Sequence, residues 1–318
     1  LAHGIHAAIG IGDDMSWNLP PAKLPKKEEF LLAFAISPET YQAGGVDWND
    51  LREVYADYLN WFPSLDAEGK ACSSKLQSHK FIRAVHSRPK DPNHLIEKVI
   101  IRSAKQRSPY VTKENYLRKV TDLLGLRALH VFKEEWPEID KFIRAEFDVE
   151  GTPEAKLREG DPQEVIKMYK DQGCAIDHTG GYRSVHYSIS VRCRRNDIMA
   201  ELQVRTLLEE AWGEASHRID YPIPSETPLV GQYVSLMSDL CCFSDEIASA
   251  ARILKEHELL AGRPGKQARA RREELWAAFQ AKTDYLCNHS PSVARVAIPP
   301  RQIPTALAHK VLRGRKSM

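Results

Sequence analysis

Glu201, Gln203 and Arg205 recur at every second position of an apolar–polar run, and Ser184 and His186 do the same in the run before it. Alternate residues of a strand share one face, so these side chains line one surface. A carboxylate in mid-strand is unfavourable by propensity. Beside an arginine and a histidine it points to a working surface, although the same set also suits an exposed face with a cross-strand ion pair. Asp122 is a second candidate, because it begins the apolar segment Asp122-Leu-Leu-Gly-Leu-Arg127. From a neighbouring strand it would converge with Glu201. Two carboxylates suffice for Mg²⁺, a hard cation that keeps several waters and takes few protein oxygens. Taken alone, Asp122 also suits a cap or a turn.

Cations supply the counterpart. Arg88 and Lys90 stand just before a helical pattern whose first turns carry His94 and Lys98, and Arg102 and Lys105 extend the basic side. Positive charge at a helix N-terminus suits a triphosphate; the plain alternative is a solvated basic face. Gly180 and Gly181 precede Tyr182 and Arg183. Paired glycines permit a tight loop and close approach to a ligand. Tyr182 can stack on a base and Arg183 can bind phosphate, but a Gly-Gly-Tyr loop is also an ordinary turn.

The elements that must position these residues follow from periodicity. Residues 184–192 and 198–204 alternate cleanly and are joined by Arg-Arg-Asn-Asp, so they read as an antiparallel hairpin with one apolar and one polar face. Residues 124–132 read as a buried strand. Helical spacing begins after Asp47, a candidate N-cap, and is expected to end at Pro63; further helices are expected over 67–81, 94–104, 136–147 and 207–219. A long helical pattern covers 229–258, breaks at Gly262-Arg-Pro-Gly265 and resumes over 267–282. This organisation divides the chain into a variable lead-in (1–45), a catalytic domain (46–225), C-terminal helices (226–285) and a basic tail (286–318). Alternation alone sets the class only as α/β or α+β.

Composition excludes several classes. Of 318 residues, 42% are hydrophobic and 28% charged, and Lys+Arg exceeds Asp+Glu by only 45 to 43. A bulk nucleic-acid binder carries a clearer positive excess, although 263–272 and 310–316 are locally basic. The six cysteines form no C-x-x-C pair, which suits a reducing, cytoplasmic setting. No apolar run approaches the length of a membrane span. The first residues lack both a basic n-region and an initiator Met, and are not read as a signal peptide.

In their order along the chain, these segments resemble the RelA/SpoT synthetase family over about residues 48–222. Arg88, Lys90 and Lys98 match its basic ATP-holding element. Asp122 to Arg127 match its D-x-x-G-x-R strand, whose aspartate binds magnesium, and Arg127 falls with the ATP ligands. Gly181 to His186 match G-Y-R-S-x-H, whose tyrosine stacks on the acceptor base. Glu201 to Thr206 match E-x-Q-x-R-T, whose glutamate is metal ligand or general base, and Trp212, Glu214 and His217 match the following helix.

The resemblance implies a mixed β-sheet flanked by helices, a nucleotidyltransferase-like synthetase fold with a C-terminal helical extension. It implies a Mg²⁺-dependent GTP diphosphokinase that moves the β,γ-pyrophosphate of ATP to the 3′-hydroxyl of GDP or GTP. Asp122 and Glu201 would be catalytic and hold the metal; Tyr182, Arg183, His186, Gln203 and Arg205 would hold the acceptor or its phosphates. His94 and His178 stand where relatives carry serine and lysine, and the His178 change bears on acceptor identity. The absence of an H-D-x-x-E-D pattern implies a stand-alone synthetase without an alarmone hydrolase. Two alternatives accompany this reading. One is a toxin-like relative acting on the tRNA 3′ end or an adenosine nucleotide, with tRNA held by the basic C-terminal stretches. The other is an inactive nucleotide- or RNA-binding module. A homo-oligomer is compatible with each.

Overall fold

The computed structural model describes residues 23–158, 161–178, 182–220, 227–260 and 265–289. They fall into two compact units. The first contains residues up to 131 together with 135–231; the second contains 132–134 and the residues from 232 onward.

The first unit is built on a mixed sheet of six strands. These are β1 (Ala84–Pro89), β2 (Leu124–His130), β3 (Asp148–Lys156), β4 (Ala175–Asp177), β5 (Ser184–Cys193) and β6 (Asn196–Thr206), ordered β1-β2-β6-β5-β3-β4. The alternating runs form the β5–β6 hairpin, antiparallel with Tyr187 opposite Leu202 and His186 opposite Gln203. β2 runs parallel to β6, which sets Gly125 against Glu201 and Arg127 against Gln203. One face is therefore apolar through Leu124, Leu126, Ala128, Val185, Tyr187, Ile189, Ala200, Leu202 and Val204, all buried. The other carries the polar set.

Helices cover the apolar face because their own stripes match it. Preceding the sheet are α1 (Lys27–Ala33), α2 (Pro38–Ala43) and α3 (Trp48–Gln77); α4 (Pro92–Gln106) and the short α5 (Tyr116–Lys119) lie between β1 and β2. The Asp47 side chain caps α3 by accepting from the Asn49 N–H at 2.6 Å. α3 buries Leu51, Val54, Tyr55, Tyr58, Leu65, Cys72 and Leu76 and packs against β1, β2 and β5. It runs unbroken through Pro63, contrary to the expected stop. An interior proline costs about 3 kcal/mol, and the burial of Leu65, Cys72 and Leu76 beyond it offsets that cost. The lead-in also proves partly structured: Ser37 caps α2 by accepting from the Thr40 N–H, and Phe30 and Tyr41 join the core.

After β2 come α6 (Trp136–Glu146), α7 (Gln163–Asp171) between β3 and β4, and α8 (Leu207–Asp220) directly after β6. Trp136 and Asp140 fix α6 to the sheet through the buried Tyr187 hydroxyl, which accepts from the Trp136 indole at 3.0 Å and donates to Asp140 at 2.8 Å. In the second unit, α9 (Pro228–Leu260) and α10 (Lys266–His289) match the two long helical patterns. Among the described residues, no helix is long and apolar enough to cross a membrane.

Candidate active site

The polar face becomes a site because loops and helices at both ends of β2 and β6 aim charged side chains onto it. Tyr58 of α3 fixes one end. Its buried hydroxyl lies 2.7 Å from the Lys90 carbonyl and 3.2 Å from that of Leu123, and the Lys90 N–H donates to the Leu123 carbonyl at 2.9 Å. The segment carrying Lys90 is thus bound to the one carrying Asp122. α4 starts at once: Pro92 takes its first position, and the Asp91 carboxylate caps the Asn93 and His94 N–H groups at 2.8 and 3.1 Å. This places Lys98 over the same point.

Asp122 is held between two ammonium groups, Lys98 Nζ at 2.7 Å on Oδ1 and Lys90 Nζ at 3.0 Å on Oδ2. Burial alone would raise its pKa; the two lysines outweigh that and hold the carboxyl below its ordinary value. Glu201, on the adjoining strand, receives His186 at 3.3 Å and the Gln203 amide at 3.1 Å. The His186 hydrogen bond is the main reason its pKa falls, against burial and the repulsion of Asp122. Asp122 and Glu201 are therefore ionised at neutral pH and lie within electrostatic reach of each other.

These two carboxylates fit a hard divalent cation: the donors are oxygens, both are charged, and a magnesium ion needs few of them. Among the described residues no group of three or more His, Cys, Asp or Glu is placed to hold a metal, so the fit rests on this pair.

α8 supplies the opposite wall. Glu210 and Glu214, one helical turn apart, grip Arg127 Nη1 at 3.1 and 2.5 Å, and Glu210 also meets Arg205 Nη1 at 3.2 Å. Burial and Arg127 lower the Arg205 pKa, against the pull of Glu210. Arg88 lies on β1 opposite Gly125; against burial, Arg127 is the main group that lowers the Glu214 pKa, burial is the main cause that lowers that of His217, and Arg88 adds to both. Tyr182 packs beside Trp212 of α8, ring centroids 5.6 Å apart, and beside the Arg205 guanidinium at 5.8 Å. Burial raises its pKa.

The structure brings together Arg88, Lys90, Lys98, Asp122, Arg127, Tyr182, His186, Glu201, Gln203 and Arg205 on or beside one face. Arg183 lies elsewhere. The sequence reading set it against acceptor phosphates, yet it is buried and donates through Nε and Nη2 to Asp161 Oδ1 at 3.1 and 2.7 Å. It immediately precedes β5, while its neighbour Tyr182 packs beside Trp212 and Arg205 at the site. Gly180 and Gly181 lie outside the described residues. Sequence reasoning missed the double role of Glu210, which joins the nearby Arg205 to Arg127, 83 residues back in the chain; no local spacing marks that second partner.

Residues 87–226 match the model of a region found in RelA / SpoT proteins. The matched residues include Arg88, Lys90, Lys98, Asp122, Arg127, Tyr182, His186, Glu201, Gln203 and Arg205. No curated protein matches the chain. Solved structures similar to it include small alarmone synthetase 1 from Bacillus subtilis bound to its product pppGpp, with 20% identity over 60% of this chain and 93% of that one, TM-score 0.45. The same synthetase bound to AMPCPP gives 18% identity over 59% and 92%, TM-score 0.42. A GTP pyrophosphokinase family protein from Streptococcus pneumoniae gives 20% identity over 70% and 90%, TM-score 0.39.

Proposed function

We propose that the chain is an ATP:nucleotide 3′-pyrophosphokinase that transfers the β,γ-pyrophosphate of ATP to the 3′-hydroxyl of GDP or GTP. One observation carries this reading: an ionised Asp122 between two lysines, two residues ahead of β2, stands next to an ionised Glu201 on the adjoining strand. The match of residues 87–226 to the model of a region found in RelA / SpoT proteins supports a pyrophosphokinase of that type.

The reaction needs charge on the transferred phosphates to be met by preorganised cations. Lys90, Lys98 and Arg88 take the triphosphate, and Arg127, held in place by Glu210 and Glu214, adds a fixed positive charge. When ATP arrives, its phosphates replace Asp122 as partners of the two lysines and free that carboxylate for a metal. Asp122 and Glu201 would hold a Mg²⁺ ion, which would supply charge neutralisation at the transferred phosphates. Tyr182 and Arg205 seat the acceptor, which makes the attack effectively intramolecular. The 3′-oxygen bonds to the β-phosphorus, the bond from that phosphorus to the α,β-bridging oxygen breaks, and AMP leaves with the electron pair. Glu201 takes the hydroxyl proton, and the Gln203 amide and His186 ring keep it aimed.

The basic stretches named for tRNA offer little here. Arg269 and Arg271 pair with Glu273 and Glu274 at 3.1 Å each, and 313–316 lie outside the described residues. The test is transfer from ATP labelled in its β or γ phosphate, with Mg²⁺, to GDP, GTP, AMP or bulk tRNA in parallel. Label on a guanosine nucleotide is expected. Label on AMP or tRNA alone would move the chain to the toxin-like reading, and transfer to none would point to the binding-only reading.

A further inference from the structure

A buried set of charges that the reaction does not use lies behind Tyr182. Arg158, just past β3, forks Glu209 in the first turn of α8, Nη1 to Oε1 at 2.6 Å and Nη2 to Oε2 at 2.7 Å. The Arg158 N–H donates to Asp161 Oδ2 at 3.0 Å, and the Asp161 Oδ1 receives the Arg183 guanidinium. The Arg183 N–H then donates to Glu209 Oε2 at 3.3 Å, closing the circuit. All four residues are buried, Glu209 completely. Among the described residues the set holds two guanidiniums and two carboxylates.

Such a cluster adds little net stability, because desolvation cancels most of the attraction. What it fixes is geometry, since the planar forks tolerate only narrow orientations. The three segments it joins are informative. Arg183 follows Tyr182 directly. Glu209 stands one turn before Trp212, the ring against which Tyr182 packs. Arg158 and Asp161 flank the start of the long connection from β3 to β5. Both halves of the aromatic pair are thus tied, through adjacent backbone, to one rigid clasp.

We propose that Arg158, Asp161, Arg183 and Glu209 are positioning residues that set the Tyr182–Trp212 platform for the acceptor base, and so govern acceptor affinity while leaving ATP binding untouched. This rests on the proposal that Tyr182 seats a guanosine nucleotide. The lysines and Asp122 that serve ATP lie on other elements, β1, α4 and the entry to β2, with no bond to the clasp among the contacts described above.

The test measures equilibrium binding of GDP, and separately of a non-hydrolysable ATP analogue, to the full chain, with KM for each substrate. Arg158→Lys keeps the charge and loses the fork. A paired change, Arg158→Met with Glu209→Leu, removes both charges together and serves if the lysine variant is poorly folded; thermal unfolding monitors both. Loss of the outer groups that orient metal-ligating side chains costs about 10- to 100-fold in affinity or activity; by the same logic GDP affinity should fall roughly ten- to hundredfold, with acceptor KM rising in step and ATP-analogue affinity unchanged. Equal loss of both affinities would mark a general structural role and overturn the proposal, as would unchanged GDP affinity. If the wild-type chain itself fails to bind GDP or GTP, the proposed acceptor falls, and the clasp's role in seating it falls too.

Discussion

Glu201 and Asp122 are both kept ionised, but by different neighbours, and removing each has a different consequence. Glu201 leans on a histidine and an amide, so Glu201→Gln leaves no strong charge unpaired. On the proposed mechanism its cost falls on metal binding and on the proton transfer, where a positioned base contributes about 10²- to 10⁴-fold. The expected result is a loss of that order in kcat, with folding stability little changed, checked by single-turnover transfer and urea unfolding. Asp122 separates two lysines, so Asp122→Asn leaves like charges facing each other. A hydrogen-bonded charge of this kind contributes about 1.5–3 kcal/mol, and the variant should be less stable at pH 7 by about that amount. The sign with pH is fixed by the lowered pKa. The contribution is complete above the ordinary aspartate range and is lost as pH falls through the depressed folded value. Urea unfolding across acid pH should show the gap between wild type and Asp122→Asn narrowing there; a constant gap would rule out the lysine pairing as its source. These two residues could be read from the sequence because type and position alone mark them: a carboxylate in mid-strand and one at the head of an apolar run. Glu210 and Arg158 could not, since their meaning lies in partners 83 and 51 residues away.

Among elements, α8 sits so close to β6 that it has no room for a side chain at Gly213. A Cβ there would stand 2.7 Å from Arg205 Nη1, too near for contact. Gly213→Ala should gain helix propensity of up to about 1 kcal/mol while pushing the guanidinium off Glu210 and Gln203. The expected outcome is an unchanged or slightly raised melting temperature with weaker binding of the acceptor nucleotide, measured by calorimetry with GDP. A fall in stability with unchanged binding would place the role of that arginine elsewhere. The hairpin that carries Arg205 was legible because one face is buried and the alternation is strict. β3 was not, because its Gly151 and Pro153 and a register shift between Glu150 and Glu154 break the period. β1 is short, and its inward-facing Val85 and Ser87 are only half-buried. The end of α3 was misjudged for an energetic reason: propensity at Pro63 is local, whereas the burial that overrides it is tertiary.

At the scale of the whole molecule, a nearly neutral chain conceals charge that has been moved inside. In the second unit Lys133 reaches Glu246 at 2.8 Å and the Ser249 hydroxyl at 3.0 Å, Lys282 reaches Glu246 at 3.2 Å, and Glu134 meets Lys133 and Lys282 at 3.2 and 3.5 Å. Residues 132–134 are thereby part of the same unit as α9 and α10, although they stand in the chain between β2 and α6. Composition gave no sign of this, because buried and exposed lysines count alike. Burial opposes the charge on Lys282, but Glu246 and Glu134 raise its pKa; burial likewise opposes Glu134, which Lys133 and Lys282 lower. The contribution of Glu134 is therefore present above the ordinary glutamate range and lost as pH falls through its folded value. That of Lys282 is present below the ordinary lysine range and lost as pH rises through its own. Glu246→Gln breaks the network at its fully buried centre and leaves two ammoniums with too little negative charge, a defect that typically costs about 3–5 kcal/mol. Hydrogen exchange should quicken in 132–134, α9 and α10, while the β5–β6 hairpin keeps its protection, because the loss is local to that unit. Equal loss of protection in the hairpin would mean that the two units unfold as one, and that changes in the C-terminal helices reach the sheet carrying Asp122 and Glu201.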